Sequence, residues 1–141
     1  MNELADGAPL RTRPEILFLC VHNAGRSQMA AAFAREIGGD GVVVHSAGSA
    51  PGETLNPAVV DAMRERGFDI SNERPTKLTE TMGRGADVIV TMGCGDACPV
   101  YLGKRYVDWE LPDPAGKSVE EIRPIRDDIE GRVRALIEEL H

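Results

Sequence analysis

The stretch that decides the fold is residues 15–37, EILFLCVHNAGRSQMAAAFAREI. Its first six residues, Glu15 to Cys20, form a short apolar run without helical periodicity, which predicts a buried strand. From Ser27 onward the apolar residues recur at helical spacing, and the glycine pair at 38–39 predicts the end of that helix. The chain is therefore expected to pass from a strand through a short polar loop into a helix.

The same alternation continues along the chain. Further strands are predicted at 42–45 (VVVH), 87–92 (DVIVTM) and 105–109 (RYVDW). Strands that alternate with helices imply right-handed crossovers and a mostly parallel sheet that is covered on both faces. The fold class is thus α/β, and its ligands are expected beyond the carboxyl ends of the strands.

Two further helices carry clear start signals. Asn56 and Pro57 form a cap and a first helical position, and Gly67 is expected to end that helix. Ser118 and Glu121 match a capping box at the start of the last helix. Proline is tolerated in a first turn, so Pro124 is expected there.

Composition limits the function. The chain has 141 residues and a formal net charge of −7, which argues against nucleic acid or an anionic membrane as a partner. No apolar run reaches the roughly 20 residues that span a bilayer, and the first residues lack the apolar segment of a secretory signal. We therefore expect a cytoplasmic monomer, with residues 1–13 as a flexible tail and 14–141 as a single domain.

The loop after the first strand has the pattern C-x5-R-S, which suits an oxyanion. Its backbone N–H groups can turn inward, and the positive end of the following helix adds to the field there. Gly25 is expected to supply a positive φ, and Asn23 to tolerate a left-handed turn. Arg26 can donate to two oxygens of one tetrahedral anion. The predicted substrate-binding residues are Val21, His22, Asn23, Ala24, Gly25, Arg26 and Ser27.

Cys20 lies at the start of this loop and is the candidate nucleophile. The helix N-terminus and the neighbouring cation stabilise a thiolate, and Ser27 can donate a hydrogen bond to it. The alternative is a buried cysteine at the end of a strand that happens to lie near a surface arginine.

Five segments together resemble a known family: the loop at 20–27, HSAGS (45–49), NPAVVDAMRERGFDIS (56–71), ADVIVTM (86–92) and LPDPAGK (111–117). They are similar to the arsenate reductases built on the low-molecular-weight protein tyrosine phosphatase fold. The resemblance runs from about residue 15 to the C-terminus. It implies a three-layer α/β/α fold with a four-stranded parallel sheet, and arsenate as a small oxyanion substrate.

Asp113, followed by Pro114, is the candidate general acid. On its own an Asp-Pro pair is typical of a turn. The resemblance places the family's catalytic Asp-Pro here. A proton delivered in the transition state is what hydroxide or alkoxide needs to leave.

Cys94 and Cys98 follow the third predicted strand with a C-x3-C spacing. They can form a disulfide after a modest rearrangement, or be two inert buried thiols. A zinc site is a third reading, but zinc normally takes four ligands and only His22, His45 and His141 are available elsewhere, so no metal is expected.

The resemblance implies a three-cysteine relay. Cys20 attacks arsenate, Cys94 attacks Cys20 and releases arsenite, and Cys98 then takes over the disulfide. No bound cofactor is expected, and thioredoxin is the implied external reductant. The gap of three residues is shorter than in many thioredoxin-coupled members, so a low-molecular-weight thiol with a glutaredoxin-like protein remains a second route.

Two other functions remain open. A low-molecular-weight tyrosine phosphatase needs the same loop, nucleophile, arginine and acid. Tyrosine-specific relatives usually have cysteine where this chain has Gly25, and aromatic residues where it has Ala115 and Gly116. A non-enzymatic sensor of oxyanions or arsenite is the other alternative, although it has no need of an acid at Asp113.

Overall fold

A computed structural model of the protein describes residues 13–93 and 100–140. Its centre is a parallel four-stranded sheet, as the resemblance implied. The strands are β1 (Glu15–Cys20), β2 (Val43–Gly48), β3 (Val88–Thr91) and β4 (Arg105–Asp108), and they lie in the order β2-β1-β3-β4. The helices are α1 (Arg26–Gly38), α2 (Pro57–Arg64), α3 (Glu80–Gly85) and α4 (Val119–Leu140), and a short 3₁₀ turn occupies Gly39–Gly41.

Strand β1 is covered on both faces, which explains its unbroken apolar sequence. Residues 16–19 are fully buried. Ile16, Phe18 and Cys20 belong to a large core that includes residues of α1, α2 and α4. Leu17 and Leu19 belong to a smaller core on the opposite face, which Met82 of α3 helps to cover. The three layers of the predicted α/β/α fold are therefore present.

The register of the sheet brings several loop starts to one edge. Cys20 at the end of β1 pairs with Gly48 at the end of β2, and Leu19 pairs with Thr91 at the end of β3. In parallel strands these carboxyl ends lie side by side. The loop that follows Cys20 consequently lies at the edge of the sheet where a ligand is expected.

The predicted end of β2 was wrong. The strand was expected to stop at His45, but Ser46, Ala47 and Gly48 continue the pairing with β1. A Cβ atom on Gly48 would lie 2.5 Å from the carbonyl oxygen of Val21. The glycine thus leaves space for the neighbouring loop.

Helix α3 was not predicted. Its six residues, ETMGRG, contain two glycines and no apolar periodicity. The helix begins because the side chain of Thr79 accepts a hydrogen bond from the backbone N–H of Met82, at 3.2 Å.

The predicted caps of α2 and α4 are confirmed. Asn56 Oδ1 accepts from the N–H of Ala58 at 3.0 Å. The Ser118 hydroxyl accepts from the N–H of Glu121, and the Glu121 carboxylate accepts from the N–H of Ser118 at 2.9 Å. Pro124, however, lies in the second turn of α4 rather than the first, because the helix begins at Val119. Within the described residues no helix is long and apolar enough to cross a membrane.

Candidate active site

The loop between β1 and α1 is fastened by its carbonyl groups. The carbonyl oxygens of Val21, His22 and Ala24 accept hydrogen bonds from the N–H groups of Ala50, Gly52 and Asn56 at 2.8, 3.0 and 2.9 Å. The carbonyls are therefore bonded to the segment after β2. This leaves N–H groups of the loop for an anion, as an anion-binding loop requires.

Asn23 and Gly25 shape this loop in different ways. Asn23 has a φ of 52° and adopts the predicted left-handed conformation. The positive φ predicted for Gly25 is wrong, since its φ is −147°. What Gly25 provides is space: a Cβ atom there would lie 2.8 Å from Cγ of Pro114. The loop and the Asp-Pro segment therefore approach each other as closely as only glycine permits.

The Cys20 sulfur accepts two hydrogen bonds. The Cys20 residue is only 3% exposed, and the backbone N–H of Asn23 donates to the sulfur at 3.2 Å. The Ser27 hydroxyl lies 2.8 Å from the sulfur and itself accepts a hydrogen bond from Asn23 Nδ2 at 2.7 Å. Because the amide already donates to Ser27 Oγ, the Ser27 proton is free to point at the sulfur. This is the contact that the sequence predicted.

Gln28 holds Asn23 in place, a role that sequence reasoning missed. Its Nε2 lies 3.1 Å from the carbonyl oxygen of Asn23 and 3.0 Å from its Oδ1, and it also donates to the carbonyl of Arg74. The N–H of Thr76 donates to the same Oδ1 at 2.8 Å. Asn23 and Gln28 are both buried. The available signal was a glutamine on the first turn of an otherwise apolar helix face.

Arg26 joins three segments. Its guanidinium is buried, donates from Nη1 to the carbonyl of Leu111 at 3.1 Å, and places Nη2 3.9 Å from Oδ2 of Asp113. Gly93, with a φ of +83°, lies against it, since a Cβ there would be 2.5 Å from Nη1. Sequence reasoning missed this role of Gly93.

Asp113 stands beside the loop on an exposed turn. Its side chain is 54% exposed, and its Oδ1 accepts from the N–H of Ala115 at 3.0 Å. The structure thus brings the predicted acid, the predicted arginine and the predicted nucleophile to one cleft of about 180 Å³. The residues that line this cleft are Cys20, His22, Ala24, Gly25, Arg26, Gly52, Asn56, Asp113, Pro114 and Ala115.

The other predicted site residues lie in three places. Asn23 and Ser27 are buried beneath the cleft and hold Cys20. The side chain of Val21 packs with the smaller core instead of lining the cleft. Cys94 and Cys98 lie outside the described residues.

A cysteine at the end of a parallel strand that shares one small cleft with an arginine and an aspartate is typical of proteins that process tetrahedral oxyanions through a thiol. Comparison with known proteins gives the family. Residues 15–141 match the family model described as low molecular weight phosphotyrosine protein phosphatase, and the chain belongs to this family.

Similar proteins include several arsenate reductases. Arsenate reductase 2 of Staphylococcus saprophyticus is 39% identical over 125 residues, which cover 84% of this chain and 92% of that protein. The solved structure of a Corynebacterium glutamicum thioredoxin-dependent arsenate reductase is 44% identical with a TM-score of 0.77; the match covers 91% of this chain and 61% of that one. A solved arsenate reductase in the phosphate binding state is 31% identical with a TM-score of 0.79, covering 91% and 99%.

Proposed function

We propose that this protein reduces arsenate to arsenite through Cys20. The observation that carries the proposal is a small cleft in which a doubly hydrogen-bonded sulfur, a buried guanidinium and an exposed carboxyl group lie together. Relatives of known structure and sequence that bear the name arsenate reductase support the choice of substrate.

The first step would form a covalent bond between sulfur and arsenic. The thiolate of Cys20 attacks the arsenic atom while the N–H groups of the loop and Arg26 hold the oxygens. One As–O bond breaks, and Asp113 supplies the proton with which that oxygen leaves as water. Arsenic remains pentavalent at this stage, because a thiolate has only replaced a hydroxyl group.

The second step would carry the reduction. The Cys94 thiolate attacks the Cys20 sulfur, so an S–S bond forms and the S–As bond breaks. The bonding electron pair stays on arsenic, which becomes trivalent and leaves as arsenite after protonation. The two thiols together supply the two electrons. Gly93, which precedes Cys94 in the sequence, lies against Arg26, and this supports the step.

The last step would restore Cys20. Cys98 attacks Cys94, so that the disulfide moves to the C-x3-C pair and the Cys20 thiol is released. An external dithiol then reduces this pair, and no bound cofactor is required. The Corynebacterium neighbour, named as thioredoxin-dependent, supports thioredoxin in this role. A low-molecular-weight thiol with a glutaredoxin-like protein is the second route.

We place the reaction in the cytoplasm of the cell and assign it to a monomer. A thiol relay of this kind works where the surroundings keep cysteines reduced. Arsenic detoxification would be its purpose.

Phosphotyrosine hydrolysis is the main alternative, because the family model describes phosphatases and the same first step would serve. The residues that line the cleft argue against phosphotyrosine as the substrate. Ala24, Gly25, Gly52 and Ala115 line it, and among the described residues that line it none is phenylalanine, tyrosine or tryptophan. A phosphotyrosine ring would find few apolar surfaces to stack on.

The test is an arsenate-dependent NADPH-oxidation assay. It is run in parallel with thioredoxin plus its reductase and with a low-molecular-weight thiol plus its glutaredoxin system. We expect many turnovers with at least one system and none with Cys20→Ser. Arsenate binding without repeated arsenite release would instead identify a sensor. Hydrolysis of aryl phosphates with no NADPH oxidation would identify a phosphatase.

A further inference from the structure

Three of the hydrogen bonds that Asn56 makes join three different parts of the site. Its backbone N–H donates to the carbonyl of Ala24 in the anion-binding loop at 2.9 Å. Its Oδ1 caps α2 by accepting from the N–H of Ala58. Its Nδ2 donates to the carbonyl of Pro114 at 3.2 Å. The helix cap explains the position of Oδ1, but it does not explain the hydrogen bond from Nδ2 to Pro114.

The turn that contains Pro114 does not need Asn56 in order to form. The carbonyl of Pro114 also accepts from the N–H of Lys117 at 3.0 Å, and Gly116 has the positive φ of 76° that such a turn uses. The bond from Asn56 therefore does not shape the turn. Instead, Asn56 connects this turn to the loop that carries the nucleophile, because its backbone N–H is bonded to Ala24 of that loop.

Asp113 directly precedes this tie. Its own side chain is bonded within the turn, to the N–H of Ala115, and it stays 3.9 Å from Arg26. More than half of the side chain is exposed, so burial does little to fix its position. The hydrogen bond from Asn56 Nδ2 to the carbonyl of Pro114 is thus well placed to hold the carboxyl group over the cleft.

Gly25 completes the contact from the other side. With a Cβ atom at residue 25, Cγ of Pro114 would be only 2.8 Å away, a distance that forces one of the two segments to move. Space at Gly25 permits the close approach of the proline, and the hydrogen bond from Asn56 maintains it.

We propose that Asn56 is a positioning residue for Asp113: through Pro114 it holds the general acid over the Cys20 nucleophile. This rests on the proposed function for its chemistry, since Asp113 there supplies the proton of the first step. A displacement of about 1 Å in a catalytic group can cost a hundredfold in rate. The effect of Asn56 is therefore expected on the proton-transfer step and not on the nucleophile.

The substitution Asn56→Ser removes the hydrogen bond to Pro114 and keeps the cap of α2. Serine caps helices about as well as asparagine, but its hydroxyl is too short to reach Pro114. We expect kcat for arsenate reduction to fall about tenfold with the KM for arsenate within about twofold, because the acid and not the anion site is displaced. The rate of Cys20 alkylation by iodoacetamide should stay at the wild-type value. Asn72→Ser makes the same change on an exposed segment and is the matched control, with wild-type kinetics.

A double-mutant cycle distinguishes positioning from general destabilisation. If Asn56 acts through Asp113, then Asn56→Ser in an Asp113→Asn background should change kcat by less than about twofold, because the acid is already absent. The same tenfold fall in both backgrounds would overturn the proposal. Wild-type kcat in the single variant would overturn it as well.

Hydrogen exchange tests the tie without any reaction. In Asn56→Ser, the amides of Asp113, Ala115, Gly116 and Lys117 should exchange faster, while those of α2 keep their protection. Asn56→Asp also caps α2 and lacks the amide donor, so it should show the same change if the serine variant folds poorly. Unchanged exchange at these amides would overturn the proposal. If the wild type fails to reduce arsenate, the proposed function falls while this result still decides the role of Asn56.

Discussion

The segment that carries the proposed nucleophile, Cys20, and the segment that carries the proposed acid, Asp113, are built in opposite ways. Residues 20–28 are largely buried, and Asn23, Ser27 and Gln28 bond to one another around Cys20. The turn at 112–117 is mostly exposed, and its polar contacts with the rest of the described site are few: Asn56 donates to Pro114, and Arg26 lies 3.9 Å from Asp113. The proposed nucleophile is therefore held by a packed network, whereas the proposed acid lies on an exposed turn that a few contacts hold in place.

The largest effect is expected at the packed segment. Cys20→Ser should abolish all turnover of arsenate and of aryl phosphates, because an alcohol in this position is not ionised at neutral pH. The fold should persist, since the oxygen replaces the sulfur in the same hydrogen bonds. Both activities are measured beside a circular dichroism spectrum. Residual arsenate reduction above background would place the nucleophile elsewhere.

A smaller effect is expected at the exposed turn. Asp113→Asn should lower kcat by roughly 10²–10⁴-fold, the usual contribution of a general acid. Asparagine keeps the acceptor for the N–H of Ala115, so the turn should survive. The alkylation rate of Cys20 should not change, and this is the control. A parallel loss of alkylation rate would show that the two segments are not independent.

A substitution that weakens the support of the packed segment should have a smaller effect again. Gln28→Leu leaves the carbonyl and side-chain oxygens of Asn23 without this buried donor, so the free energy of unfolding should fall by about 1–3 kcal/mol. Alkylation of Cys20 should slow several-fold as Asn23 loosens. Urea unfolding and iodoacetamide kinetics measure the two effects. Wild-type values of both would show that Gln28 does not support the loop.

The smallest effect is expected on the free energy of unfolding, at the contact between α2 and α4. Hydrogen bonds from Arg123 and Arg126 on α4 lower the pKa of Glu65, at the end of α2, from 4.5 to about 2. A lowered pKa in the folded state means that this contribution to stability is present above pH 4.5 and is lost as the pH falls towards 2.

Glu65→Gln should therefore reduce the stability measured at pH 7 and make the loss on acidification between pH 4.5 and 2.5 less steep. Urea midpoints at several pH values test this. The wild type keeps other acid-sensitive contacts, since hydrogen bonds from Ser71 and Ser118 lower the pKa values of Asp69 and Glu121. An acid-induced loss equally steep in both proteins would contradict the role of Glu65.

Local signals in the sequence predicted much of the fold. The bounds of β1, the left-handed Asn23, and the caps at Asn56 and Ser118 all depend on residues close together in the chain. Their physical causes, an apolar run, a tolerated φ and a side-chain acceptor, can be read from a few neighbouring residues.

The features that the sequence did not reveal depend on distant neighbours. Gly25 provides space for Pro114, and Gly93 provides space for Arg26, so neither role follows from a turn preference. Gln28 supports the loop because its side-chain amide donates to the carbonyl oxygen and Oδ1 of Asn23. Helix α3 forms with little intrinsic propensity, and packing against the smaller core accompanies it. Each of these needs the tertiary structure.

The most direct test of the account is a single-turnover experiment with peptide mapping. Fully reduced protein is mixed with arsenate in the absence of any reductant, and the disulfides and the released arsenite are measured. We predict one arsenite per chain, with a Cys94–Cys98 disulfide in the wild type and a Cys20–Cys94 disulfide in Cys98→Ser. Cys94→Ser should release no arsenite while keeping any phosphatase activity. Full arsenite release by Cys94→Ser would contradict the relay.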